Sequence, residues 1–187
     1  MFLTSGHNKN TFLKDLKKNL EKCRIFYVSS AYVSLNGILE IEPELRNVEK
    51  VFMIVGDMSM QACQDFYYAL FTDNPINHRN EQGILNLREM VKDKRLNIIF
   101  YEDESEAKII HSKVYLIERY DGSYIGYVGS ANLTYPGFYT NKETMVSFKD
   151  YTTINGCYVD FLSEWFKILG KPDKEIPIID KATFKKS

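Results

Sequence analysis

An α/β fold, a mixed β-sheet flanked by helices on both faces, is the architecture this sequence predicts. Runs rich in β-branched and aromatic residues alternate with segments of three- and four-residue apolar spacing, the strand–helix–strand order of parallel βαβ units. Two later strand-like runs are separated only by a short turn around Asp121-Gly122, which predicts an antiparallel hairpin and hence a mixed sheet. The chain has 187 residues, 44% of them apolar, enough for one substantial core and short for two.

The elements follow in order. Residues 10–23 carry Phe12, Leu13, Leu16, Leu20 and Cys23 on one helical face and Lys14, Lys17, Lys18 and Lys22 on the other, with Asn10 placed as N-cap. That lysine face reads first as a solvated helix surface and second as a contact for phosphates. Residues 24–33 (RIFYVSSAYV) predict a buried strand in which Ser29 and Ser30 either bond neighbouring backbone or let a ligand approach. A short helix or turn over 35–45 leads to a second strand, 51–56. A helix over 60–71 is expected to turn Cys63, Phe66, Tyr67, Leu70 and Phe71 inward. After a polar connection containing His78 and Arg79, expected to be solvated, come a helix over 83–94 and a third strand, 96–101. The acidic stretch 102–107 is a loop by composition. Beyond Asp150, Cys157, Phe161, Trp165 and Leu169 recur at four-residue spacing, a helix that Gly170 ends and Pro172 stops. Residues 172–187 read as a tail or linker, and no internal repeat is evident.

Formal charge is −1, so no overall basic field points to nucleic acid. Cys23, Cys63 and Cys157 are odd in number and lack metal-ligand spacing, which fits a reducing compartment and buried thiols. With no run of about 18 apolar residues and no signal-peptide pattern at the start, a cytoplasmic protein with no membrane partner is expected.

The chemistry gathers in residues 110–143. His111 and Lys113, two apart on a predicted strand, share a face, and the hairpin brings their end beside Gly129-Ser130-Ala131-Asn132. For phosphodiester cleavage a neutral imidazole can attack phosphorus, with Lys113 and Asn132 expected to stabilise the developing charge and Glu143 expected to hold the other ring nitrogen. Ser130 adds a hydroxyl and backbone N–H groups suited to phosphate oxygens. The acid for the leaving oxygen is unassigned.

His-x-Lys, then Gly-Ser-x-Asn, then Asn141 and Glu143 resemble the signature of the phospholipase D superfamily. The nuclease branch is most similar, in particular the catalytic domains of PLD-type restriction endonucleases such as the NgoFVII family, and Ser29–Ser34 is similar to an early strand there. The resemblance implies a phospholipase D-like α-β-α sandwich over residues 1–171 and cofactor-free, metal-independent hydrolysis of nucleic acid, DNA first, through a phosphohistidine. It implies His111 as nucleophile or acid, Lys113, Ser130 and Asn132 on the phosphate, and Glu143 orienting His111. The superfamily pattern has Asp where this chain has Glu118, which is read as structural. The superfamily also uses two such motifs per site and this chain holds one in full, His-x-Lys together with Gly-Ser-x-Asn, so a homodimer is expected, with sequence recognition left to a further domain. Two other readings stay open: a phosphodiesterase of lipid or small substrates, and a DNA-binding or dimerising module without turnover.

Overall fold

Apolar side chains on both faces of successive strands require a layer on either side, and the computed structural model supplies both. It describes residues 1–6, 10–72, 75–101, 110–172 and 174–186; the acidic stretch 102–107 and His7 lie outside the described residues. In chain order the elements are β1 (Phe2–Ser5), α1 (Thr11–Leu20), β2 (Cys23–Ser30), α2 (Leu35–Leu39), α3 (Glu42–Leu45), β3 (Lys50–Val55), α4 (Gln61–Phe71) and α5 (Glu81–Lys92). There follow β4 (Leu96–Phe100), β5 (Lys113–Arg119), β6 (Ser123–Gly129), α6 (Tyr135–Tyr139), β7 (Glu143–Phe148), α7 (Tyr151–Ile168) and β8 (Lys185–Lys186).

The strands form one mixed sheet in the order β1-β7-β6-β5-β2-β3-β4, with β8 beside β6. Strands β2, β3 and β4 are parallel, joined through helices as βαβ units, and β5 runs antiparallel to both β2 and β6. The hairpin turns where Asp121-Gly122 predicts it: Gly122 sits at φ 78°, a conformation that glycine adopts without a Cβ penalty. Period-two alternation divides the strand side chains between two cores. Phe26, Val28 and Tyr115 face helices α1 to α6, whereas Tyr27, Ile54 and Leu116 face α7.

Local chemistry sets the helix ends. Asn10 caps α1 by accepting from Leu13 N at 3.2 Å. Helix α7 ends with Gly170 at φ 68°, Gly170 N bonding Lys167 O and Lys171 N bonding Phe166 O, a Schellman stop. Cys23 belongs to β2 rather than to the first helix. Of the stripe expected inward on α4, Cys63, Phe66 and Leu70 are buried, but Tyr67 and Phe71 are 38% and 40% exposed. They overhang Phe100 of β4, the last strand of the sheet among the described residues.

The segment after Gly170 returns along the α7 face. Ile179 is buried, its N–H bonds Asn155 and its carbonyl accepts from Tyr151 OH at 2.8 Å. Among the described residues no helix is long and apolar enough to cross a membrane.

Candidate active site

Strand direction decides what meets at each edge of the sheet. The C-terminal ends of β2, β3, β4 and β6 and the N-terminal ends of β5 and β7 share one edge, because Ser30 pairs with Lys113 and Gly129 with Met145. His111, Lys113, Ser130, Asn132 and Glu143 therefore all lie there, on residues separated by up to 32 positions in sequence. His111 itself is not in the ladder, since β5 begins at Lys113 where β2 ends. Its segment is held by backbone bonds instead: Ile110 N to Gly56 O at 3.3 Å, and Ala31 N to Ser112 O at 3.2 Å.

Lys113 is buried and His111 exposed. The ammonium Nζ lies 3.0 Å from each ring nitrogen of His111 and donates to His111 O at 2.9 Å. The contact holds the ring beside the ammonium at the sheet edge, and an imidazole with one unprotonated nitrogen is the form a nucleophile needs. Burial holds the Lys113 amine below its ordinary value, and the nearby Glu143 carboxylate opposes that shift. The Glu143 carboxylate accepts from Asn141 Nδ2 at 3.1 Å, and among the described residues the ring of His111 has Lys113 as its partner.

The polar turn after β6 is built to a fixed pose. Ser130 exchanges two bonds with Thr144: its N–H donates to Thr144 O and its Oγ accepts from Thr144 N, both at 3.1 Å. Asn132 Oδ1 accepts from Tyr32 N at 3.1 Å, which fixes the amide orientation and leaves Nδ2 as a donor without a partner among the described residues. Beneath it, fully buried Ser30 accepts from Leu133 N at 3.0 Å and donates to Tyr32 O at 2.7 Å. Buried Tyr115 donates to Ala131 O at 2.8 Å, and burial pushes its phenol up.

Ser30, Tyr32 and Tyr115 form this cradle; the sequence marks Ser30 as a hydroxyl in a buried strand, and here it bonds backbone, whereas Tyr32 and Tyr115 carry no such mark. A signal exists: Ser30-Ala31-x-Val33-Ser34-x-x-Gly37 and Ser130-Ala131-x-Leu133-Thr134-x-x-Gly137 share one pattern, although no repeat was expected. The two segments touch through a Val33–Leu133 bridge, and Ser34 and Thr134 cap their short helices alike, each accepting from the glycine three residues on. Ser30→Ala leaves the buried Leu133 N–H without its acceptor, so about 1–2 kcal/mol of stability is expected to be lost. Urea unfolding would measure it; an unchanged midpoint would remove Ser30 from the cradle.

The remaining polar residues lie apart. Glu118 is at the opposite end of β5, ion-paired with Arg24. His78 accepts from Asn80 N through Nδ1, and its Nε2 lies 3.1 Å from Asn36 Oδ1, which ties the loop before α5 to α2. Among the described residues no group of three or more His, Cys, Asp or Glu side chains converges as a metal site.

Residues 70–165, just over half of the chain, match the family described as the NgoFVII restriction endonuclease N-terminal PLD domain. No curated protein matches in sequence. Among solved structures the chain is similar to NucT from Helicobacter pylori, at TM-score 0.52 and 18% identity, covering 91% of this chain and 98% of that one. Nuc from Salmonella typhimurium, a phospholipase D family member, aligns at TM-score 0.51 and 13% identity over 91% and 95% of the two chains. Yeast tyrosyl-DNA phosphodiesterase aligns at TM-score 0.56 and 14% identity over 91% of this chain and 41% of that one. At these identities the likeness is one of fold, whereas the family match is one of sequence. The chain belongs to the family of NgoFVII restriction endonuclease N-terminal PLD domains, a phosphodiesterase branch of the phospholipase D superfamily.

Proposed function

We propose that the chain hydrolyses nucleic acid, with DNA as its substrate, through a covalent phosphohistidine, without a metal ion, at a site assembled from two copies of the chain. The observation that carries this reading is the contact of His111 with buried Lys113 beside the donor-only amide of Asn132. The restriction-endonuclease family supports DNA over other phosphodiesters.

In the first step a ring nitrogen of His111 attacks phosphorus, a P–N bond forms and the P–O bond to the leaving nucleotide breaks. The non-bridging oxygens take donors from Lys113 Nζ, Asn132 Nδ2 and Ser130. Glu143 compensates the imidazolium that forms, once substrate draws the Lys113 ammonium from the ring onto phosphate. The leaving oxygen needs a proton. Within one chain His78 is engaged by its own loop and His7, of the triplet His7-Asn8-Lys9, lies outside the described residues; the scheme takes the proton from the His111 of a second copy. Water, deprotonated by that second histidine, then cleaves the P–N bond and returns both rings to their starting state.

Supercoiled DNA incubated in EDTA over a protein concentration series tests the scheme. Cleavage per chain should rise with the dimer fraction measured by sedimentation. Full activity where only monomer sediments would remove the shared site, and strict dependence on added Mg²⁺ would remove the metal-independent route.

A further inference from the structure

The edge of the sheet opposite the candidate active site carries a cavity of about 540 Å³ that the proposed chemistry does not use. Its charged lining comes from α1 with Asp15, Lys18 and the following Lys22, from the end of β5 with Arg119, and from Lys149 just past β7, with Asn19 beside them. Four cationic side chains thus meet one carboxylate in a chain whose formal charge is −1, a local excess that the overall composition conceals.

Lys18, Lys22 and Arg119 have no ion-pair partner among the described residues. Lys17, on the neighbouring face of α1, pairs with Glu44 at 3.6 Å. The Arg119 guanidinium is held by neutral oxygens, with Nη1 donating to Ser123 Oγ at 3.0 Å and Nη2 donating to Asn19 Oδ1. Its buried Nε has no hydrogen-bond partner among the described residues. Asp15 Oδ2, in contrast, already accepts from Tyr127 OH at 2.9 Å. A guanidinium fixed in place beside unpaired ammonium groups is chemistry for phosphate oxygens.

We propose that this cavity is a second phosphate-binding site that holds the nucleic-acid backbone away from the scissile bond. The proposal rests on the nucleic-acid reading of the active site and names where else that substrate is gripped. Along β5, Lys113 and Arg119 are about 20 Å apart, a span over which duplex DNA carries about a dozen phosphates. A long substrate can reach both edges of the sheet; a small phosphodiester cannot. The cavity reads no bases, so its contribution is independent of sequence and screened by salt.

The test compares the chain with Lys18→Gln/Lys22→Gln, both in a His111→Ala background that leaves DNA uncut, by fluorescence anisotropy of a long labelled duplex over a salt series. Two lost phosphate contacts should lower the slope of log affinity against log salt by about 2, with affinity at low salt falling at least about tenfold. Unchanged slope and affinity would overturn the proposal. So would inorganic phosphate raising the Tm of the parent but not of the variant while DNA affinity stays the same, because the cavity would then take a small anion. In the active background the double substitution should slow cleavage of long DNA and spare a small chromogenic phosphodiester; equal loss on both would also overturn it. If the unmodified chain cleaves neither substrate, the catalytic reading falls, while an altered salt slope would still sustain the second site.

Discussion

His111→Ala is expected to reduce phosphodiester hydrolysis by at least about a thousandfold, because a covalent route has no second nucleophile to substitute for the ring. The loss should lie in kcat, since the phosphate donors Lys113 Nζ, Asn132 Nδ2 and Ser130 remain in place. Stability should hardly change. His111 is exposed and its ring has Lys113 as its hydrogen-bond partner among the described residues, so the expected cost is within about 0.5 kcal/mol. Mixing His111→Ala chains with active ones adds a sharper readout: in a shared site each mixed dimer carries one ring, so activity should fall faster than the fraction of active chains. A variant within tenfold of the parent, tested in EDTA beside a matched melting curve, would mean that this histidine is not the nucleophile.

The site was legible because its residues sit at the ends of elements with strong local signals. The hairpin is written in two apolar runs and an Asp-Gly turn, and once that turn stands at Gly122 the register carries Lys113 to the same edge as Ser130 and Asn132. Helix α7 is legible for a similar reason, since its apolar spacing and Gly170 both report on contacts within a few residues. Strands β1 and β7 escaped because they are short and half-polar, and β1 exists as a strand only by pairing with β7, far away in the chain. Helix α6 escaped because Pro136 and Gly137 within five residues erase any helical propensity, and the Thr134 cap alone does not restore it. The roles of Ser30 and Tyr32 were hidden by distance in sequence, their partners Leu133 and Asn132 lying about a hundred residues away. The exposure of Tyr67 and Phe71 depended on knowing that β4 ends the sheet. Local periodicity carries which face is apolar, but not how far the neighbouring layer extends.

Gly56→Ala is expected to destabilise the fold by about 3 kcal/mol, lowering Tm by roughly 6–12 °C for a chain of this size. The reason is a close approach of backbone rather than an unusual conformation. Gly56 N donates to Ser30 O at 3.0 Å, and Gly56 O accepts from Ile110 N, so the residue is pinned on two sides. A Cβ there would stand 1.9 Å from Ile110 O and 2.8 Å from its carbonyl carbon. Neither atom is the end of a flexible side chain, so the segment entering β5 must move. His111 is the next residue. Activity measured well below the melting transition should therefore also fall, by tenfold or more, since displacement of a reacting group by about 1 Å can cost a hundredfold. Gly156→Ala is the matched contrast. Gly156 lies exposed inside α7, where an added Cβ meets nothing within 4 Å, so alanine should stabilise the helix by up to about 1 kcal/mol and leave kcat unchanged. If both substitutions moved stability alike, or if Gly56→Ala kept full activity, then the contact between the end of β3 and Ile110 would not be what positions His111 at the sheet edge.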